Sequence, residues 1–153
     1  MTPVTPSSAS FTRALNGRVV AIFQRLSSLA DRITIEDAML DEQRFVTEAL
    51  RPYGIDPEVE VVGVEPGEAE IARAAEAARG ADAAILFLYD AHLYPSNRAL
   101  LDAIQKAAPA LGVVLMRDPW DADYLAPGVV AITAYGWRRC QLDAALARFL
   151  TPG

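Results

Sequence analysis

The chain is short of the residues from which most compact sites are built. Its 153 residues include one cysteine, Cys140, and one histidine, His92. A single cysteine excludes a disulfide framework within the chain and is compatible with a reducing compartment. Cys140 has no CxxC partner, so a place on a helix surface or in packing is expected for it rather than a reactive one. One histidine and one cysteine together exclude a structural zinc site. No apolar run approaches the ~18–20 residues that a membrane span needs. The opening stretch MTPVTPSSASFTRALNG carries no apolar segment of the kind a secretory signal requires. A cytoplasmic protein without a membrane partner is the expectation. Basic residues are also in the minority, 14 against 20 acidic for a net charge of −6. With no basic stripe, nucleic acid is not an expected partner. The glycine-rich phosphate loops GxGxxG and GxxxxGK[ST] are absent, as is the GxSxG elbow of serine hydrolases, so no cofactor is expected.

What the chain does have is hydrophobic residues at 52%, with 22% charged, the balance of one globular domain. Residues 1–16, rich in Pro, Ser and Thr, read as a flexible tail, and residues 17–153 as the folded domain. Apolar runs at Arg18–Phe23, Glu58–Val64, Ala83–Tyr89, Gly112–Met116 and Val129–Thr133 predict five strands. The third is apolar throughout and is expected at the sheet centre. Helical spacing covers Ala38–Tyr53, Glu68–Arg79, Pro95–Ala108 and Arg138–Leu150, with Gly54 suited to the position past the first of these. Residues Gln24–Asp37 mix a loop signal at Ser27 and Ser28, a strand-like Arg32–Ile35 and a capping box from Thr34 to Asp37. Strands buried on both faces need helices on both sides. The fold class is therefore α/β, a three-layer doubly wound, mostly parallel sheet of five to six strands in a flavodoxin-like arrangement.

In such sheets, ligands and partners meet the loops at the carboxyl ends of the strands. Two loops stand out. Asp90, His92 and Tyr94 follow the third strand, and Arg117, Asp118, Trp120 and Asp121 follow the fourth. Beside Asp90, His92 suits acid/base work, since a carboxylate fixes an imidazole tautomer. A surface or interface histidine that hydrogen-bonds its loop is the expected role. Asp118, Asp121 and Asp123 around Trp120 have the makings of a sugar site, with carboxylates to move protons and a ring to stack on a pyranose. They suit a turn equally, with Trp120 covering the sheet edge. Asp90-Ala91-His92 has the form of the DxH of cobalamin-binding domains, but it follows the third strand rather than the first and lacks the next glycine. A phosphoacceptor site fails as well: the first strand ends in Phe23-Gln24, and no lysine follows the fifth. No catalytic or metal-binding residue is assigned. The seven residues named are candidate ligand- or partner-facing positions.

On two motifs the chain resembles the C-terminal domain of family-3 glycoside hydrolases, in its β-N-acetylhexosaminidase-like branch. One is RDPWD followed by VVAITAYG, in which Asp118-Pro119-Trp120-Asp121 and Tyr135-Gly136 fill the family's turn and strand-end positions. The other is AILFLYDAHLYPSNRALLDAI. The resemblance covers Ala81–Leu150 well and Arg18–Arg79 loosely, with Trp120 in place of a Tyr and Asp118 in place of an Asn. It implies a flavodoxin-like sandwich. It also implies that the nucleophilic Asp, and in this branch the acid/base His, belong to a (β/α) barrel. Such a barrel needs ~250 residues and has no room here. Where other branches donate a Glu from the sandwich, the loops here offer Asp90, Asp118 and Asp121. The implied function is an accessory domain of a β-N-acetylhexosaminidase- or β-glucosidase-class enzyme, inactive alone, with a barrel domain as partner and carbohydrate as a further one. A free-standing small-molecule-binding module is the alternative, and a self-contained hydrolase using Asp90 and His92 ranks last.

Overall fold

A computed structural model describes residues 6–25, 42–117, 119–135 and 139–150. The readings at Ser27–Ser28, Arg32–Ile35, Thr34–Asp37, Asp118 and Gly136 lie outside the described residues. Five strands form one all-parallel sheet: β1 (Val19–Gln24), β2 (Glu58–Val62), β3 (Ala83–Leu88), β4 (Leu111–Leu115) and β5 (Val130–Thr133). Their order is β2-β1-β3-β4-β5. β3 is the central strand, as its unbroken apolar run predicts, and pairs Ile85 with Ala21 on one side and with Gly112 on the other. Every residue of β1, β3 and β4 is buried, while β2 and β5 are half-exposed edge strands. Glu58 and Glu60 reach the surface of β2, where they pair with Arg18 and Arg73.

Alternation along each strand divides the core into two layers. Val19, Ala21, Phe23, Ile85, Phe87 and Val114 face α1 (Pro6–Ala14), α2 (Glu42–Leu50) and the final helix, α5 (Arg139–Leu150). Val20, Ile22, Leu86, Leu88 and Val113 face α3 (Glu68–Arg79) and α4 (Pro95–Ala107). Helices α3 and α4 bury Ala74, Ala78, Leu100, Leu101 and Ile104. After α2 a short 3-10 turn, Arg51–Tyr53, ends on Gly54, whose left-handed φ of 73° lets its N–H close back on the Arg51 carbonyl. Cys140 is exposed on α5. Among the described residues, no helix is long and apolar enough to cross a membrane.

The start of the chain corrects the sequence reading. Residues 6–14, expected as part of a flexible tail, form α1, and Phe11 on it is only 2% exposed. Its ring meets that of Phe149 with centroids 5.4 Å apart. Gly112 of β4 makes room for the pair: a β-carbon there would strike the Cζ atoms of both Phe11 and Phe149. One buried aromatic outweighs the polar composition around it, because burying a phenyl ring contributes about 2–3 kcal/mol.

Candidate carboxyl-edge site

The polarity of the sheet places the ends of β3, β4 and β5 side by side on one edge. The ladder continues just past the strands, with Met116 N–H donating to the Leu88 carbonyl at 2.9 Å and Ala134 N–H to the Leu115 carbonyl at 2.8 Å. Beyond these bonds lie the loops after β3, β4 and β5, the first two of which hold the candidate residues.

Asp90 turns the chain out of β3. Its φ of 43° is left-handed, a conformation that Asp tolerates better than most residues. Its carbonyl accepts the N–H groups of Leu93 and Tyr94 at 3.0 and 3.1 Å, which closes the turn before α4. The carboxylate is 1% exposed. Oδ2 accepts Arg117 Nη1 at 2.7 Å, whereas the buried Oδ1 has no hydrogen-bond partner. The hydrogen bond to Asp90, and then its charge, hold the Arg117 guanidinium more firmly protonated than usual. Arg117 Nη1 also lies 3.4 Å from the Tyr89 hydroxyl. Burial, and next the Asp90 charge, push the Tyr89 phenol above its ordinary pKa. Tyr94 packs back against Tyr89, the two rings stacked at 6.3 Å.

Asp121 is buried too, at 2% exposure, yet fully used. Oδ2 accepts the Ala91 N–H at 3.0 Å, and Oδ1 accepts the His92 N–H at 2.8 Å and contacts His92 Nδ1 at 2.7 Å. One side chain therefore clamps the loop after β3 to the loop after β4. The sequence pairs His92 with its neighbour Asp90; the structure pairs it with Asp121, 29 residues away, and turns Asp90 toward Arg117. The left-handed turn at Asp90 buries its carboxylate while the loop carries His92 across to the neighbouring strand's loop.

The segment Pro119–Tyr124 is a 3-10 turn held at both ends. Asp121 anchors its start. At its close the Arg98 guanidinium sits 4.5 Å from the centre of the Tyr124 ring, and Gln105 bonds the Tyr124 carbonyl and the Ala126 N–H. On this pinned segment Trp120 is 67% exposed. Leu93 after β3 and Tyr135 after β5 are exposed to similar extents, 59% and 68%. Three adjacent strands thus each present one large apolar side chain at the same edge.

Between the ends of β1 and β3, where a doubly wound sheet ordinarily seats a cofactor, two polar side chains are buried. Gln24 and Asn97 are fully buried there. Gln24 Oε1 accepts the Tyr89 N–H at 2.7 Å, its Nε2 donates to Asn97 Oδ1 at 2.8 Å, and Asn97 Nδ2 donates to the Tyr89 carbonyl at 2.6 Å. Sequence reasoning missed this buried contact, although a polar residue ending an apolar strand and an Asn one turn before the inward pair Leu100 and Leu101 both signal it. Leu93 falls within the loop expected to face a partner, and Tyr135 enters the sequence reading only as a motif position, but nothing in the sequence singles out either as exposed there. Two open hollows, of about 420 and 340 Å³, lie at the opposite edge near Gly17. Among the described residues no group of three His, Cys, Asp or Glu side chains is placed to hold a metal ion.

No protein-family model and no curated protein sequence matches the chain. Solved structures do. One is a glycoside hydrolase family 3 β-N-acetylglucosaminidase from Paenibacillus sp. str. FPU-7, with a TM-score of 0.65 and 23% identity over 87% of this chain. Another is a fungal multi-domain family-3 β-N-acetylglucosaminidase with a glucosamine N-acetyltransferase region, with a TM-score of 0.64 and 15% identity over 89% of this chain. The match spans 25% of the first of those chains and 14% of the second. The likeness to family-3 glycoside hydrolases read from the two motifs is thus found in the fold, which is that of one part of these larger enzymes.

Proposed function

We propose that the chain serves as the accessory sandwich domain of a family-3-type glycosidase of the β-N-acetylhexosaminidase or β-glucosidase class, and does not turn over glycosides by itself. Its carboxyl edge packs on a (β/α) barrel domain, in the same polypeptide or another, and forms one wall of the sugar site there. The observation that carries this reading is the edge itself. Leu93 and Trp120 stand exposed on segments that the buried Asp121 carboxylate and the Arg98–Tyr124 contact hold in place, and Tyr135 stands exposed after the neighbouring β5. Exposed aromatics on a pre-ordered support, with an arginine beside them, are the residue types that dominate interface energetics. The likeness in fold to a small part of two much longer family-3 enzyme chains supports a place beside further domains.

The test is a titration of the chain against a separately produced barrel domain of a family-3 β-N-acetylglucosaminidase. A one-to-one complex is expected, weakened ~30-fold or more by Trp120→Ala. Failure of the intact edge to bind, or binding indifferent to Trp120, contradicts the reading.

A further inference from the structure

We propose that α1 is a latch held by one side chain, and that it exchanges between copies of the chain, the α1 of each copy filling the notch of a second. Among the side chains described on α1, only Phe11 is buried, while Ser10, Thr12 and Arg13 are exposed and Ala14 is half-buried. The notch that receives the Phe11 ring is specific to it. The ring lies against Phe149, and a β-carbon at Gly112 would strike both rings. On either side of that contact the helix is undercut. One hollow of about 420 Å³ runs along Ser10, Arg13 and Ala14, and one of about 340 Å³ along Thr12 and Leu15. At about 100° per residue, those two sets fall on opposite flanks of Phe11. The helix also lies beside β5, the outermost strand on that side of the sheet, so a second molecule reaches its place without crossing the sheet.

The chain on the far side of the latch is fixed without it. Arg18 N–H donates to Asp82 Oδ2 at 2.7 Å, and the Arg18 carbonyl accepts the Asp82 N–H at 2.8 Å. Between that anchor and the helix, the Asn16 and Gly17 N–H groups bond only back to the Arg13 and Ala14 carbonyls, so the pivot is Leu15–Gly17. A helix of nine residues does not hold itself in water, so α1 forms where a notch receives Phe11. The same contacts form whether that notch belongs to its own body or to a second copy's. Charge favours this occupant. Arg13 is the only charged side chain among residues 1–17, whereas the whole chain carries −6. A basic helix thus meets an acidic body, with Asp82 lining the same hollow as Arg13. Because the contacts are equivalent, exchange is a competition between the tethered α1 and that of another copy. It sets in as the chain approaches the effective concentration of the tether, on the order of 1 mM.

The experiment joins sedimentation equilibrium to an isotope-filtered nuclear Overhauser measurement on an equal mixture of labelled and unlabelled 153-residue chain. A monomer is expected at ~20 μM, and a dimer holding about half of the chains or more at ~2 mM. In that dimer the Phe11 ring of an unlabelled copy is expected to give a signal to the Phe149 ring of a labelled one. Phe11→Ala removes the anchor and is expected to weaken the dimer at least about tenfold. A chain that stays monomeric at the higher concentration, a dimer without the cross-copy signal from Phe11 to Phe149, or a dimer equally strong in Phe11→Ala overturns the proposal. If Phe11→Ala does not fold, the cross-copy signal in the unaltered chain decides alone. The carboxyl edge takes no part in the exchange, so the outcome is independent of the docking proposed for that edge.

Discussion

Two aspartates, both almost wholly buried at the same edge, do different things because of what their second oxygen meets. Asp121 satisfies three donors from the loop after β3, so its value is structural. Asp121→Asn is expected to destabilise the fold by about 2 kcal/mol, since an amide nitrogen then faces a backbone N–H. Urea unfolding of the two proteins checks this. Tyr89 gives a pH dependence. Its folded pKa lies above its ordinary value of 10.0, through burial first. The unfolded chain therefore gives up this proton first as pH rises, so the contribution is complete below pH ~10 and is lost as pH climbs through the folded value. Stability measured from pH 9 upward is expected to fall less steeply in Tyr89→Phe. Little of this was legible in the sequence. The motif DAHLYP marks the right loop, but adjacency suggests Asp90 as the partner of His92, and only the fold brings Asp121 there.

The elements were far more legible than the contacts between them. Strands buried on both faces leave unbroken apolar runs, so β1, β3 and β4 stand within a residue or two of where those runs lie, and α3 spans Glu68–Arg79 as its spacing predicts. The exception is α1. A composition dominated by Pro, Ser and Thr hides one decisive side chain, and the space that receives it is made by Gly112, a hundred residues further on. Phe11→Ala is expected to cost about 3 kcal/mol, and Gly112→Ala about 1–3 kcal/mol through overpacking, both read by thermal unfolding. Trp120→Ala is expected to change stability by less than about 0.5 kcal/mol, because its ring is exposed. A large loss of stability in that variant would mean that Trp120 holds the edge together rather than presenting itself to a partner.

At the scale of the whole molecule, a five-stranded doubly wound sheet usually advertises a ligand at its switch point. Here Gln24 and Asn97 are buried at that point and bonded to Tyr89, and among the described residues the exposed large side chains lie on the loops after β3, β4 and β5. Beyond the central place of β3, strand order leaves no trace in single-sequence periodicity, so which loops stand side by side at this edge becomes visible only in the fold. The edge has an oriented imidazole, a clamped carboxylate and exposed aromatics, the features on which the proposed docking role rests. The most direct measurement is turnover of a nitrophenyl N-acetyl-β-D-glucosaminide by the purified 153-residue chain. Release of nitrophenol no faster than in buffer is expected, while turnover above buffer that disappears in His92→Gln would contradict a docking role and place the catalytic centre within this chain.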